Sequence, residues 1–202
     1  MARYTGPKQR LQRQIGEDLG LKTNALRTAK RIGQRPGQHG AHQRRKISNY
    51  GIQLKEKQKI KYIYGLMEKQ LRSVYEQANK SSAATGAALL VFLERRIDNV
   101  IYRLGWAPTR PAARQMVSHG QVMVNAKKMS IPSFRVSVDD VIVLKTKATK
   151  IPAVADRLQA EPGNLPAWLE RKQATAKIVR YPDRDDIAEK IDEQLLVEFY
   201  SR

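Results

Sequence analysis

The chain has 202 residues, with 38 Lys plus Arg against 19 Asp plus Glu and a formal charge of +19, so it holds one or two domains and calls for a polyanionic partner. It contains no cysteine, which excludes disulfides, thiol nucleophiles and thiolate metal sites together. Its start, MARYTGPKQR, has no apolar run and no 18-residue apolar stretch follows, so a soluble protein that stays in the compartment where it is made is expected.

The charge is unevenly spread. Residues 1–50 hold 12 basic and 2 acidic side chains, whereas residues 151–202 hold 8 and 10. A membrane-binding segment would need an amphipathic helix with a Trp/Phe/Leu face. The basic N-terminal stretch is instead broken by Gly6-Pro7, Gly16, Gly20, Gly33, Pro36-Gly37 and Gly40, so nucleic acid is the favoured partner and no membrane is expected. With those breaks no helical stripe is expected over 1–50. It reads as an irregular arm that orders against its partner.

Within the arm, Arg35-Pro-Gly-Gln-His-Gly40 lets backbone approach backbone closely, and Arg44, Arg45 and Lys46 are suited to neutralising phosphates. Tyr50 either stacks on a base or ribose, or caps the first helix. From Leu54 to Tyr64, Ile60, Ile63 and Tyr64 recur at helical spacing, and Gly65 stops the run. A second helix is predicted over Glu68–Ala78, with Leu71, Val74, Tyr75 and Ala78 inward. After a polar hinge, one long helix is predicted from Gly86 to Leu104, where Leu90, Leu93, Ile97, Val100, Ile101 and Leu104 make a continuous face.

Next comes a short helix, Arg110–His119, with Thr109 as N-cap, Pro111 in the first turn and Gly120 as stop. Ala113, Met116 and Val117 face inward, and Arg110 and Arg114, four apart, share the opposite face. Val122–Val124 and Met129–Ile131 read as a hairpin around Asn125–Lys128, followed by strands at Arg135–Val138 and Val141–Leu144. Alanine after Asn125 makes a tight two-residue turn uncomfortable there. Farther on, Trp168–Glu170 and Ala176–Tyr181 are strand candidates, and the apolar terminus Leu195–Tyr200 is expected to dock on the protein.

The N-terminus of the 110–119 helix offers backbone N–H groups and a positive dipole end to a phosphate. Thr109, Arg110, Arg114, Gln115, Ser118, His119 and Gln121 supply donors beside it, so this patch is the sharpest candidate for RNA contact. Arg3, Lys8, Arg10 and Arg31 of the arm, with Arg35, Gln38, His39, Arg44, Arg45, Lys46 and Tyr50, form a second set, to which Lys55 and Lys59 of the first helix are added. No metal is expected: His39 and His42 are three apart, His119 is the third histidine, and the ligand count fails. No nucleotide loop or nucleophile–base arrangement is present, and Asp183–Asp186 reads as a cap rather than a metal cluster. Asp98 is expected to pair with Arg95, Arg103 or the neighbouring helix.

Several ordered motifs carry a resemblance. Gly33-Gln-Arg-Pro-Gly-Gln-His-Gly40, Lys46-Ile-Ser-Asn-Tyr-Gly51, Leu93-Glu-Arg-Arg-Ile-Asp-Asn-Val100, Tyr102-Arg-Leu-Gly105, Ala113-Arg-Gln115, Val117-Ser-His-Gly120 and Leu196-Val-Glu-Phe-Tyr-Ser201 are similar to those of bacterial-type small-subunit ribosomal protein four. That resemblance runs from Tyr4 to Ser201. It implies an α+β chain: a mainly helical domain with a basic irregular arm, and an inserted RNA-binding domain whose helical hairpin packs on a small antiparallel sheet. The boundaries expected are 1–50 for the arm and 51–91 for the helical domain, completed by about 186–202. The RNA-binding domain is expected at 92–185, with its core module at 93–150.

The resemblance further implies a structural, non-enzymatic role in the cytoplasmic ribosome. The expected partners are a multi-helix junction in the five-prime domain of small-subunit rRNA, the neighbouring small-subunit protein five, and mRNA where it enters the subunit. Early assembly and decoding accuracy are the implied roles, and some members of the family repress their own mRNA. No cofactor and no small-molecule substrate are implied. Some members bind zinc through cysteines in the arm; with none here, RNA and packing alone must order it. Two alternatives are an RNA-modifying enzyme carrying the same module and a generic RNA chaperone. Against the first stands the lack of a catalytic domain, and against the second the arm and the helices of residues 54–79.

Overall fold

The computed structural model describes residues 4–40, 46–160 and 165–201. In chain order it runs α1 (Lys8–Ile15), α2 (Ala25–Ile32), α3 (Asn49–Ile63), α4 (Glu68–Asn79), α5 (Thr85–Glu94), α6 (Ile97–Arg103) and α7 (Arg110–Ser118). Then follow β1 (Val122–Val124), β2 (Lys127–Met129), β3 (Val141–Leu144), α8 (Thr146–Thr149), α9 (Pro152–Gln159), β4 (Leu169–Lys172), β5 (Thr175–Ile178), a 3₁₀ turn at Arg184–Asp186 and α10 (Glu193–Tyr200). The chain is α+β and divides into two compact units, residues 1–86 with 189–202 and residues 87–188.

The first unit is helical. Ser48 caps α3 by accepting a hydrogen bond from the Gly51 N–H at 3.2 Å. Ile60, Ile63, Leu71 and Leu196 are each at most 2% exposed. Each contributes about 1.5–3 kcal/mol by leaving water. The C-terminal helix docks as expected: Tyr200 stacks on Tyr75 at 4.7 Å, Tyr50 meets Phe199 at 5.8 Å, and Gln53 donates to Glu198 at 2.9 Å.

Two helices lie wholly within residues 1–50, where the glycines and prolines left none expected. The reason is that these residues bound helices rather than interrupt them. Pro7 precedes α1, and Gly16 follows it with φ +81°, donating its N–H to the Gln12 carbonyl. Leu11 and Ile15, four apart, suffice for its buried stripe.

The second unit packs α6 and α7 on one antiparallel sheet of order β2-β1-β3-β5-β4. Ile97 and Ile101 from α6, Leu104 just after it, Ala113 and Val117 from α7, and Val122, Ile142, Trp168 and Ile178 from the sheet side share a single core and are almost wholly buried. Three local expectations are corrected here. The long helix over Gly86–Leu104 is broken at Arg95-Arg96, because Arg96 forms a bridge with Arg135 and the Ile97 N–H turns to the Phe134 carbonyl at 2.8 Å. That same bridge is the only strand-like pairing of Arg135–Val138 among the described residues, so this segment is not a strand. And the hairpin's second strand is Lys127–Met129 rather than Met129–Ile131, so the hairpin does close in two residues, with Val124 opposite Lys127. Asn125 and Ala126 stand at φ +49° and +63°, the signs that a type I′ turn requires.

Candidate nucleic-acid interface

In the first unit, α1 and the start of α3 frame a cleft of about 720 Å³. Arg10, Arg35, Gln38, His39, Lys46 and Lys55 are among the residues lining it, and none of the described lining residues is acidic. The loop that carries Arg35, Gln38 and His39 is built rather than draped. Arg13 donates through Nε to the Gln34 carbonyl at 2.8 Å and through Nη2 to the Arg35 carbonyl at 2.9 Å. At the loop's far end the Gly40 N–H bonds the Gly37 carbonyl, and a Cβ on Gly40 would collide with the Arg35 carbonyl oxygen, so only glycine fits. Ser48 and Gly51, at the N-terminus of α3, also line the cleft and add that helix's positive end.

Other expected residues of this unit are dispersed. Arg31 is exposed in the last turn of α2, and Lys8 is half-buried on α1. Tyr50 is 51% exposed while its ring packs beside Phe199, so it covers the C-terminal aromatic cluster and still presents about half its surface to solvent. Lys59 is buried, bonding Glu17 at 2.7 Å and Glu56 at 3.7 Å, so its charge is engaged within the fold. Arg3, Arg44, Arg45 and His42 lie outside the described residues.

In the second unit the helix expected to read RNA forms with the cap expected: Thr109 accepts a hydrogen bond from the Ala112 N–H, at 3.3 Å, and Pro111 lies in the first turn. Its arginines are not where spacing put them. Arg110 and Arg114 are each 7% exposed and turned inward. Arg110 donates Nε to Asn99 at 2.7 Å and lies over the Tyr102 ring at 4.4 Å, while Arg114 reaches Asp98 at 3.5 Å. Asp98 also takes both Nε and Nη2 of Arg96, at 3.1 and 2.8 Å. Its pairing with the neighbouring helix is as expected, but Arg96 rather than Arg95 or Arg103 is its second partner.

Gln115, Ser118 and His119 remain exposed along one side of α7. The Ser118 hydroxyl donates back to the Arg114 carbonyl at 2.8 Å. Gln121 is half-buried, and its Oε1 meets no donor among the described residues. Beside the end of α7 stands one cation not among the residues expected from the sequence, Lys128. Lys127 and Lys128 are exposed on β2, and the stem of Lys128 crosses Gly120, where a Cβ would meet its Cε. The signal lay in the hairpin, whose two-residue turn brings Lys128 back toward the end of α7.

A third basic spot surrounds the helix break. Arg95 lies over Tyr181 at 4.2 Å and Arg135 over Phe92 at 4.6 Å. Burial, then the positive charges of Arg95 and Arg96, lower the Arg135 guanidinium below its ordinary value. The described residues hold no group of three or more His, Cys, Asp or Glu suited to a metal, and no described helix is long and apolar enough to cross a membrane.

Residues 3–94 match the family model described as ribosomal protein S4/S9 N-terminal domain, and residues 95–142 match that of the S4 domain. The chain is 44% identical to small ribosomal subunit protein uS4 of Variovorax paradoxus and 46% identical to that of Parabacteroides distasonis, each over the full length of both chains.

Proposed function

Because the chain belongs to the uS4 family of small ribosomal subunit proteins, we propose that it is a structural constituent of the small subunit that binds small-subunit rRNA directly through both of its units. Its family is one of ribosomal proteins and not of enzymes, which sets aside the RNA-modifying alternative. Within the cytoplasmic ribosome it engages a multi-helix junction of the five-prime domain, nucleates assembly there, touches protein five, and supports accuracy where mRNA enters the subunit.

The observation that carries rRNA binding is the cleft of the first unit, whose described lining includes Arg10, Arg35, Lys46 and Lys55 and no carboxylate. An arrangement of this kind neutralises several phosphates at once and releases their counterions. The S4-domain match over the second unit supports the same reading, as do Gln115, His119, Lys127 and Lys128 on its surface.

Filter binding of the full chain to a five-prime-domain rRNA fragment containing the junction tests the reading. Binding is expected to exceed that to an RNA of equal length without the junction. It is also expected to weaken with salt at a log–log slope of about −7 for eight neutralised phosphates. Equal affinity for the two RNAs, or a flat salt response, overturns it.

A further inference from the structure

The second unit contains two buried relays that end on successive turns of α7. In the first, Glu94 takes Nε and Nη2 of Arg103 at 2.9 and 2.8 Å and Nδ2 of Asn99 at 2.8 Å, and Asn99 Oδ1 takes Arg110. In the second, Asp98 joins Arg96 to Arg114. Both start at the α5–α6 break and reach the helix at residues 110 and 114, one turn apart. Two such tethers fix the rotation of α7 about its own axis as well as its distance from α6. Held this way, α7 leaves Gln115 and His119, four apart, on one exposed side, near the end of the helix that Lys128 crosses.

We infer that Arg110 and Arg114 are positioning residues, and that the RNA-facing edge of this unit is formed by Gln115, His119 and Lys128. The inference rests on the reading of the chain as an rRNA-binding protein. It differs from simple basic-helix binding in the sign of one effect. Were Arg114 a phosphate contact, removing the carboxylate beside it would leave binding unchanged or strengthen it, since a negative charge is lost from a protein that binds a polyanion. As a positioning pair, Asp98 and Arg114 are needed together.

The test is a salt series of rRNA binding with the full chain at a temperature where circular dichroism shows each variant folded. Asp98→Asn and Arg114→Gln are each expected to weaken binding by about tenfold, within the range of couplings inside one network, and the double variant by no more than the worse single. The log–log slope stays at the unmodified value for all three. Stronger or unchanged binding by Asp98→Asn, or a slope reduced by about 0.7–0.9 in Arg114→Gln, overturns the inference. If Asp98→Asn does not fold, the surface variant still decides: Lys128→Gln is expected to lower the slope by about 0.7–0.9 without changing Tm, and an unchanged slope overturns the proposed edge. Failure of the unmodified chain to prefer the junction would instead sink the functional reading itself.

Discussion

Glu94 accepts two parallel hydrogen bonds from the guanidinium of Arg103 while exposing only 1% of its side chain. Taking such a carboxylate out of water is costly, and the paired geometry offsets that cost only while both partners are present. Glu94→Ala is therefore expected to destabilise the second unit by about 3–5 kcal/mol. Both tryptophans, Trp106 and Trp168, are fully buried in that unit, so urea unfolding followed by tryptophan fluorescence reports on it specifically. A midpoint unchanged from the unmodified protein would show that the pair carries no stability.

The hairpin turn gives the opposite sign. Ala126 sits at φ +63°, where its Cβ crowds the following carbonyl, at a cost of about 1–2 kcal/mol. Asn125 bears the same backbone sign with help, since its Oδ1 accepts the Val141 N–H at 2.9 Å and its Nδ2 donates to Asp140 at 2.7 Å. Ala126→Gly is expected to stabilise the unit by about 0.5–1 kcal/mol, the relief of strain being partly offset by the added freedom of glycine when unfolded. The same fluorescence titration checks it, and a lowered midpoint contradicts the strain argument.

These two sites also show what the sequence makes legible. Local devices read well: the Thr109 cap, Pro111 and the Gly120 stop act within one turn of themselves, and α7 formed between them. The break after Glu94 did not read, because the apolar stripe Leu93, Ile97, Val100, Ile101 runs through it unchanged. The bond that interrupts the helix comes from Phe134, far along the chain. The inward turn of Arg110 and Arg114 was hidden for the same reason. Spacing places both on one face, but the groups that claim them, Asn99 and Asp98, are 11 and 16 residues away. Conversely, the aromatic terminus Leu195–Tyr200 had no polar face wide enough to stay in water, so its docking could be read directly.

In the first unit, Glu68 gathers Lys57 at 2.8 Å, Lys61 at 3.1 Å and the Tyr200 hydroxyl at 3.1 Å. Burial pushes the Glu68 carboxyl up, but the hydrogen bonds and charges of Lys57 and Lys61 outweigh it and hold the group below its ordinary value of 4.5. A carboxyl lowered on folding contributes stability above pH 4.5, and that contribution is lost as pH falls through 4.5 towards the folded value. Because 46% of the side chain remains exposed, solvent screening keeps the effect to under about 1 kcal/mol. Glu68→Gln is expected to be less stable than the unmodified chain at pH 7 and to match it at low pH, as followed by near-ultraviolet dichroism of the stacked Tyr75 and Tyr200. A gap that widens in acid would reverse the sign argued here.

The last prediction concerns Arg13, which holds the cleft loop by two successive carbonyls, Gln34 and Arg35. Each such bond, exposed to water, contributes about 0.5–1.5 kcal/mol net. Arg13→Met is expected to raise the population of the open loop about tenfold, read as faster hydrogen exchange at the Gly40 amide, whose acceptor is the Gly37 carbonyl. Affinity for the rRNA junction should fall with it, because Arg35, Gln38 and His39 then lose their fixed places beside Arg10. Arg13→Lys separates geometry from charge: it keeps the cation, but an ammonium lacks the planar fork that reaches both carbonyls. Exchange at Gly40 is therefore expected to stay fast in Arg13→Lys, and full protection in that variant would mean that charge alone holds the loop.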